Sequence, residues 1–100
     1  MGVRFSLEVR IKEGREDDLL RGYGALRDRL SEGVPGLVVH QLCQADGDDR
    51  RWLITSEWTD AEANRAWESS DEHRRLTLPL RECWEEARLS HYDVRSEVRA

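Results

Sequence analysis

The sequence predicts an α+β chain of ferredoxin-like topology, β-α-β-β-α-β, with a four-stranded antiparallel sheet covered by helices on one face. Three observations point there. Residues 3–11 alternate with period two, the residues after Gly14 switch to a helical period, and residues 37–58 hold two strand-like runs around an Asp46-Gly47 turn. Helix signals and a last strand-like run follow, which completes the second half of the pattern.

In VRFSLEVRI, Val3, Phe5, Leu7, Val9 and Ile11 fall on one side and Arg4, Ser6, Glu8 and Arg10 on the other, as in a strand with one covered face. Beyond Gly14, Leu19, Tyr23, Leu26 and Leu30 recur at i, i+4, i+7 and i+11. Glu16, Asp17 and Asp18 occupy the first turn of this helix, where its dipole favours acids. Gly33 suits the left-handed position past the helix end, and Pro35-Gly36 turns the chain. LVVHQLCQ (37–44) and RWLITSEW (51–58) then pair as an antiparallel hairpin. Thr59 to Glu62 has capping-box spacing and opens a short helix with Ala63, Ala66 and Trp67 inward. Ser69 to Glu72 repeats that spacing and starts a second helix at an angle to the first. Its inward stripe runs His73, Leu76, Leu80, Cys83, Trp84 and Ala87, with a kink or restart expected at Pro79. LSHYDVRSEV (89–98) reads as the last strand.

Composition narrows the function classes. A chain of 100 residues, 38% hydrophobic, is one domain over 1–100 with its core at about 3–95. Sixteen basic against 21 acidic residues leave a net charge of −5, and neither sign gathers into a block, so nucleic acid is not an expected partner. The N-terminal MGVRFSLEVRIKEG alternates rather than forming an apolar core, and no run approaches the ~20 apolar residues of a membrane span. The chain therefore reads as soluble and cytoplasmic, with no membrane partner. Cys43 and Cys83 lack CxxC spacing and read as buried small hydrophobes. His40 and Cys43, three apart on a strand, face opposite sides, so no metal ligands are expected. With no GxGxxG, P-loop or GxSxG, no cofactor-binding residues are expected either.

A sheet covered on one side leaves Arg4, Ser6, Glu8 and Arg10 on an open face with Leu53, Thr55 and Glu57. Such a mixed face suits water or a second copy of the chain. A two-fold partner would let Arg4 and Arg10 meet Glu8 or Glu57, and a homodimer is the favoured expectation.

The candidate site residues are mostly aromatic. Trp52, Ile54, Ser56 and Trp58 share one strand face, and Trp67 and Trp84 fall on helix faces expected to cover it. Large rings opposite Ala63, Ala66 and Ser56 make either an irregular core or a pocket for a flat ligand. Tyr23 either places its hydroxyl in that pocket or is a core tyrosine satisfied at the rim. His73, on the inward stripe, is either a half-buried histidine capping a helix turn or a general base near its ordinary pKa of about 6.5. His40 and His91 have no sequence neighbours that suggest catalysis and read as structural.

Val34-Pro35-Gly36 before the second strand, Glu57-Trp58 ending the third, and the Ser70-Asp71-Glu72-His73 junction together resemble the antibiotic biosynthesis monooxygenase family, of the dimeric α+β barrel class. The resemblance spans roughly residues 3–95. It implies a small cofactor-free oxygenase that uses molecular oxygen as co-substrate to oxidise an aromatic polyketide-type phenol or anthrone to a quinone. Trp58 matches the tryptophan that lines the pocket of quinone-forming members. Their amide and tyrosine positions hold Ile54 and Asn64 here, so those two roles do not transfer. Positions used by haem-degrading relatives hold Val9, Trp67 and Thr77, of which only the tryptophan is shared. The resemblance implies Trp58 as a catalytic residue, the inward helix stripe adds His73 as the candidate base, and the shared strand and helix faces put Trp67, Tyr23, Trp52, Trp84 and Ser56 around the substrate. The alternative within the same fold is a non-oxidative cyclase, isomerase or accessory ligand-binding protein.

Overall fold

The computed structural model describes residues 2–100. Its elements run β1 (Val3–Ile11), α1 (Glu16–Leu30), β2 (Leu37–Gln44), β3 (Arg51–Trp58), α2 (Ala61–Glu68), α3 (Asp71–Glu82) and β4 (Trp84–Asp93). The strands form one sheet in the order β2-β3-β1-β4, with each neighbouring pair antiparallel. This is the ferredoxin-like α+β arrangement, with its second helical segment divided in two.

The alternation of β1 sets the covered face. Phe5 lies opposite Ser56 and His91, Leu7 opposite Ile54 and Leu89, and Val9 opposite Trp52 and Ala87, so these residues share the side under the helices. Leu19, Tyr23, Leu26 and Leu30 are the buried residues of α1, the same four that its periodicity selects. They pack with Val9, Ile11, Trp52, Trp58, Trp67, Leu80 and Cys83 in one core.

Gly36 shows how closely the entry to β2 approaches the start of α2. Its φ is +84°, and a Cβ there would lie 2.5 Å from the Ala63 Cβ. Its carbonyl accepts from the Thr59 amide at 2.8 Å, which fixes the end of β3 against the start of β2.

Four expectations change. First, Trp84 and Ala87 are on β4, not on a helix, and β4 spans 84–93 instead of 89–98. Helix-compatible residues are extended there because the second edge of β1 lies inside the sheet and needs partners for its backbone groups. The Lys12 amide donates to the Cys83 carbonyl at 2.8 Å, and Ile11 pairs with Trp84. Second, α3 runs through Pro79 without restarting. Third, the caps fall one residue later than the boxes suggested: Asp60 accepts from the Ala63 amide at 2.8 Å and Ser70 from the His73 amide at 3.1 Å. Fourth, Cys83 is buried but Cys43 is exposed, because its strand position faces the uncovered side of the sheet.

The open face carries the expected charges in a different pairing. Glu57 lies directly across from Arg4 and binds it at 3.2 Å, and it binds Arg99 at 2.7 Å. Its charge is therefore met within the chain. Among the described residues, no helix is long and apolar enough to cross a membrane.

Two substitutions test the local structure by urea denaturation. Asp60→Ala is expected to cost about 1 kcal/mol through the lost cap. Gly36→Ala is expected to cost at least about 2 kcal/mol, since it combines a left-handed backbone with a steric clash.

Candidate functional site

A cavity of about 340 Å³ lies between the sheet and the helices. That is within the range of small-molecule sites. Phe5, Leu7, Ile54 and Leu89 form its floor on the sheet, and Leu26, Trp67, Leu80 and Trp84 supply further apolar wall. Its polar groups are His40, His73, Glu68, Arg74, Thr77 and Arg81. A larger hollow of about 710 Å³ is lined mainly from the open sheet face, including Glu8, Arg10, Arg51, Glu86 and Arg88. It has charge of both signs but no histidine, so the smaller cavity is the better place for proton chemistry.

The break between α2 and α3 positions His73. The Ser70 hydroxyl donates to the Trp67 carbonyl at 2.7 Å while accepting from the His73 amide at 3.1 Å. One side chain thus ends the first helix and caps the second. The two rings it relates meet edge to face, with centroids 5.7 Å apart. Arg29 lies 5.8 Å over the Trp67 ring and forms a 2.7 Å ion pair with Glu72, fastening α1 to the first turn of α3. Burial pushes the His73 pKa below its ordinary value, with Glu68 opposing the shift. The ring is therefore neutral at pH 7, as a proton acceptor must be.

His40 faces the same cavity, although its sequence context marked it as structural. The hairpin register places it opposite Ser56 on the helix-facing side of β2. Counting back from the Asp46-Gly47 turn was the signal that could have shown this. Its Nδ1 lies 2.9 Å from the Tyr23 hydroxyl. Burial, and then the neighbouring His73, lower the His40 pKa to about 4. Burial also raises the pKa of Tyr23, which keeps the phenol protonated. His91, opposite Phe5, reaches Glu68 at 3.4 Å, so all three histidines of the chain lie on or beside this cavity.

The tryptophans divide between wall and core. Trp67 and Trp84 line the cavity, Trp84 from a strand. The Trp84 Nε1–H is buried without an acceptor, alone in this among the described side chains. Trp58 is 1% exposed and donates its indole N–H to the Ser56 hydroxyl at 2.9 Å; neither residue lines the cavity. Trp52 is likewise a core residue, its indole bound to the Asp49 carbonyl at 3.0 Å. Tyr23 borders a neighbouring groove and reaches the cavity through His40. No group of three His, Cys, Asp or Glu residues is placed to hold a metal ion among the described residues.

A family profile described as antibiotic biosynthesis monooxygenase matches residues 3–77. The chain belongs to this family. Among curated relatives, a 42.8 kDa protein in the whiE locus of Streptomyces coelicolor is 38% identical over 96 residues, 96% of this chain and 24% of that protein. Polyketide synthase CurD of Streptomyces cyaneus is 36% identical over 96 residues, 96% of this chain and 25% of that protein. The chain thus spans about a quarter of the length of these relatives. Among solved structures, SnoaB, a cofactor-independent oxygenase from Streptomyces nogalater, superposes with a TM-score of 0.84 at 18% identity, covering 97% of this chain and 96% of that one. At that identity the likeness establishes the fold. Antibiotic biosynthesis monooxygenase family membership and the cavity rest on separate observations.

The depressed histidine pKa values make stability pH-dependent. In the unfolded chain His40 titrates near 6.5 and in the folded protein near 4. Above pH 6.5 it is neutral in both states and its contribution is fully present. As pH falls from about 6.5 towards 4, the unfolded state gains the proton first. Stability is then expected to fall by up to about 1.4 kcal/mol per pH unit from this residue. Urea titrations at pH 7.0 and 5.5 measure the loss, which His40→Phe should reduce.

Proposed function

We propose that this chain is a cofactor-independent monooxygenase that converts an aromatic polyketide-type phenol or anthrone to a quinone, with molecular oxygen as co-substrate. The observation that carries this reading is His73, held neutral at the edge of Trp67 in an apolar cavity of small-molecule size. Family membership, the description of SnoaB as a cofactor-independent oxygenase and the polyketide synthase name of CurD support the substrate class.

The chemistry follows from the substrate. His73 removes the acidic proton of the phenol or anthrone, and the electron-rich anion passes one electron to oxygen. Recombination of the two radicals gives a hydroperoxide, which loses water to form the quinone carbonyl. One oxygen atom enters the product and the other leaves as water. The protein contributes desolvation, orientation and the base. Trp67 and Trp84 are the flat walls in this reading. Trp58, Trp52 and Ser56 support the sheet beneath without touching the ligand, and Tyr23 acts through His40.

We assign the open sheet face to a second copy of the chain. Val39, Leu53 and Tyr92 interrupt charges of both signs there, and one side of the sheet carries no helix. Glu57 is paired within the chain, so of the two acids expected to meet an arginine of the partner subunit Glu8 is the one left. Light scattering at micromolar concentration should give twice the chain mass; a monomer would refute the assignment.

Oxygen uptake with a model anthrone tests the chemistry. His73→Gln should lower turnover by roughly 10²-fold or more. Trp58→Phe, a change outside the cavity wall, should do much less. Wild-type activity should rise with pH and level off below 6.5, since the His73 pKa is depressed, and the Gln variant should lose that inflection. Uptake no faster than the uncatalysed background would move the protein to the non-oxidative cyclase, isomerase or ligand-binding alternative.

A further inference from the structure

We propose that His40, oriented by Tyr23, is the hydrogen-bond donor that fixes a ligand oxygen in the cavity, so that the site selects hydroxy- or keto-substituted aromatics over bare hydrocarbons. This deepens the functional reading above and rests on it for the aromatic class of the ligand.

Tyr23 Oη and His40 Nδ1 are 2.9 Å apart, and this nitrogen is the only side-chain partner of the Tyr23 hydroxyl among the described residues. Tyr23 is 8% exposed at the side of a groove and its phenol is protonated, and Nδ1 is the side-chain acceptor the protein offers its O–H. It donates to Nδ1. The single ring proton of neutral His40 then sits on Nε2, which makes that atom a donor. Nε2 has no protein partner, yet it is absent from the sealed, unsatisfied atoms, which among the described residues comprise Trp84 Nε1 alone. It therefore opens to accessible space, and the ring forms part of the wall of this cavity as well as of the groove beside Tyr23. Nδ1 is turned to Tyr23 on α1, and Nε2, across Cε1 from it, is the ring nitrogen left for a ligand.

Neutrality gives this donor its use. Arg74 and Arg81 line the same cavity, and a protonated His40 would add a further cation beside them. A neutral N–H carries no such cost and still strengthens its bond as charge develops on a ligand oxygen. When His73 takes the proton, negative charge spreads onto the oxygen that His40 holds, an arrangement of the oxyanion-hole kind. A neutral imidazole acting as such a donor is chemically established. The two histidines then divide the work, one as acceptor of the proton and one as donor to the resulting anion. Tyr23 is a positioning residue, since it acts only through the tautomer of His40.

The test needs no turnover, so its failure is separable from failure of the oxygenase reading. Long-range ¹H–¹⁵N spectra of the full chain at pH 7 should show His40 as the Nε2–H tautomer, and Tyr23→Phe should shift it towards a mixture. Binding of 1,8-dihydroxyanthraquinone, followed by tryptophan fluorescence, should weaken about 10-fold in His40→Phe. His40→Gln, which keeps an N–H donor, should retain most of the affinity, and anthracene should bind wild type and His40→Phe alike. An Nδ1–H tautomer, equal loss for both probes, or no binding of the dihydroxyanthraquinone to the wild type would each overturn the proposal. Normal dihydroxyanthraquinone binding without oxygen uptake would leave it standing and remove the oxygenase reading.

Discussion

Because β1 lies between β3 and β4 and alternates over nine residues, its side chains decide which face of the sheet the helices must cover. Val9 and Ile11 are almost fully buried, and Phe5 and Leu7 continue the same row into the cavity floor. A shift of one residue in either pairing would bring Arg4, Glu8 and Arg10 beneath the helices, where each unpaired charge would cost several kcal/mol on the order given by desolvation. The register is thus fixed by charge as much as by apolar burial. It also determines the positions of His40 and His91, whose strands pair outward from β3 and β1.

The cavity arises where this row meets the break between α2 and α3. At the Ile11 end of β1 the Cys83 carbonyl meets Lys12, and Leu19, Leu80 and Cys83 are almost fully buried in the core. Further along, the chain turns at Ser69-Ser70, and between Trp67 and Leu76 the side chains that reach the cavity are Glu68, His73 and Arg74. The opening that remains is bordered by His73 and Trp67. A helix uninterrupted from Ala61 to Glu82 would point these two rings, six residues apart, roughly 120° away from each other instead of bringing them edge to face. The Ser70 hydroxyl, bonded on both sides of the break, is the polar contact that holds this geometry.

Much of the fold was legible in residue order because it rests on short-range patterns. The first strand, the buried face of α1, both strands of the hairpin and the division of the second helical segment follow from period and turn chemistry. The site was legible in part. His73 and Trp67 were found through the helical stripe, and Tyr23 was identified through the inner face of α1. Trp58 and Ser56 share the correct sheet face yet lie in the core, their polar groups bonded to each other. His40 was set aside because its chain neighbours are unremarkable. Its partners, Tyr23 and His73, stand 17 and 33 positions away in the sequence.

Residue order by itself determined the alternation, the helical faces and the helix breaks, because each is decided by neighbours within about one or two turns or along one strand. Tertiary structure decided three further points. Trp84 became a strand residue because β1 needed a second partner, a requirement that outweighs local helix preference. Trp58 went to the core, its indole bonded to Ser56, and Trp84 to the cavity wall, which the docking of the helices decides and no local pattern does. The histidines converged because antiparallel pairing places residues side by side that no sequence window contains together. Periodicity can say which way a side chain faces, whereas what it meets there depends on the docking of elements distant in the chain.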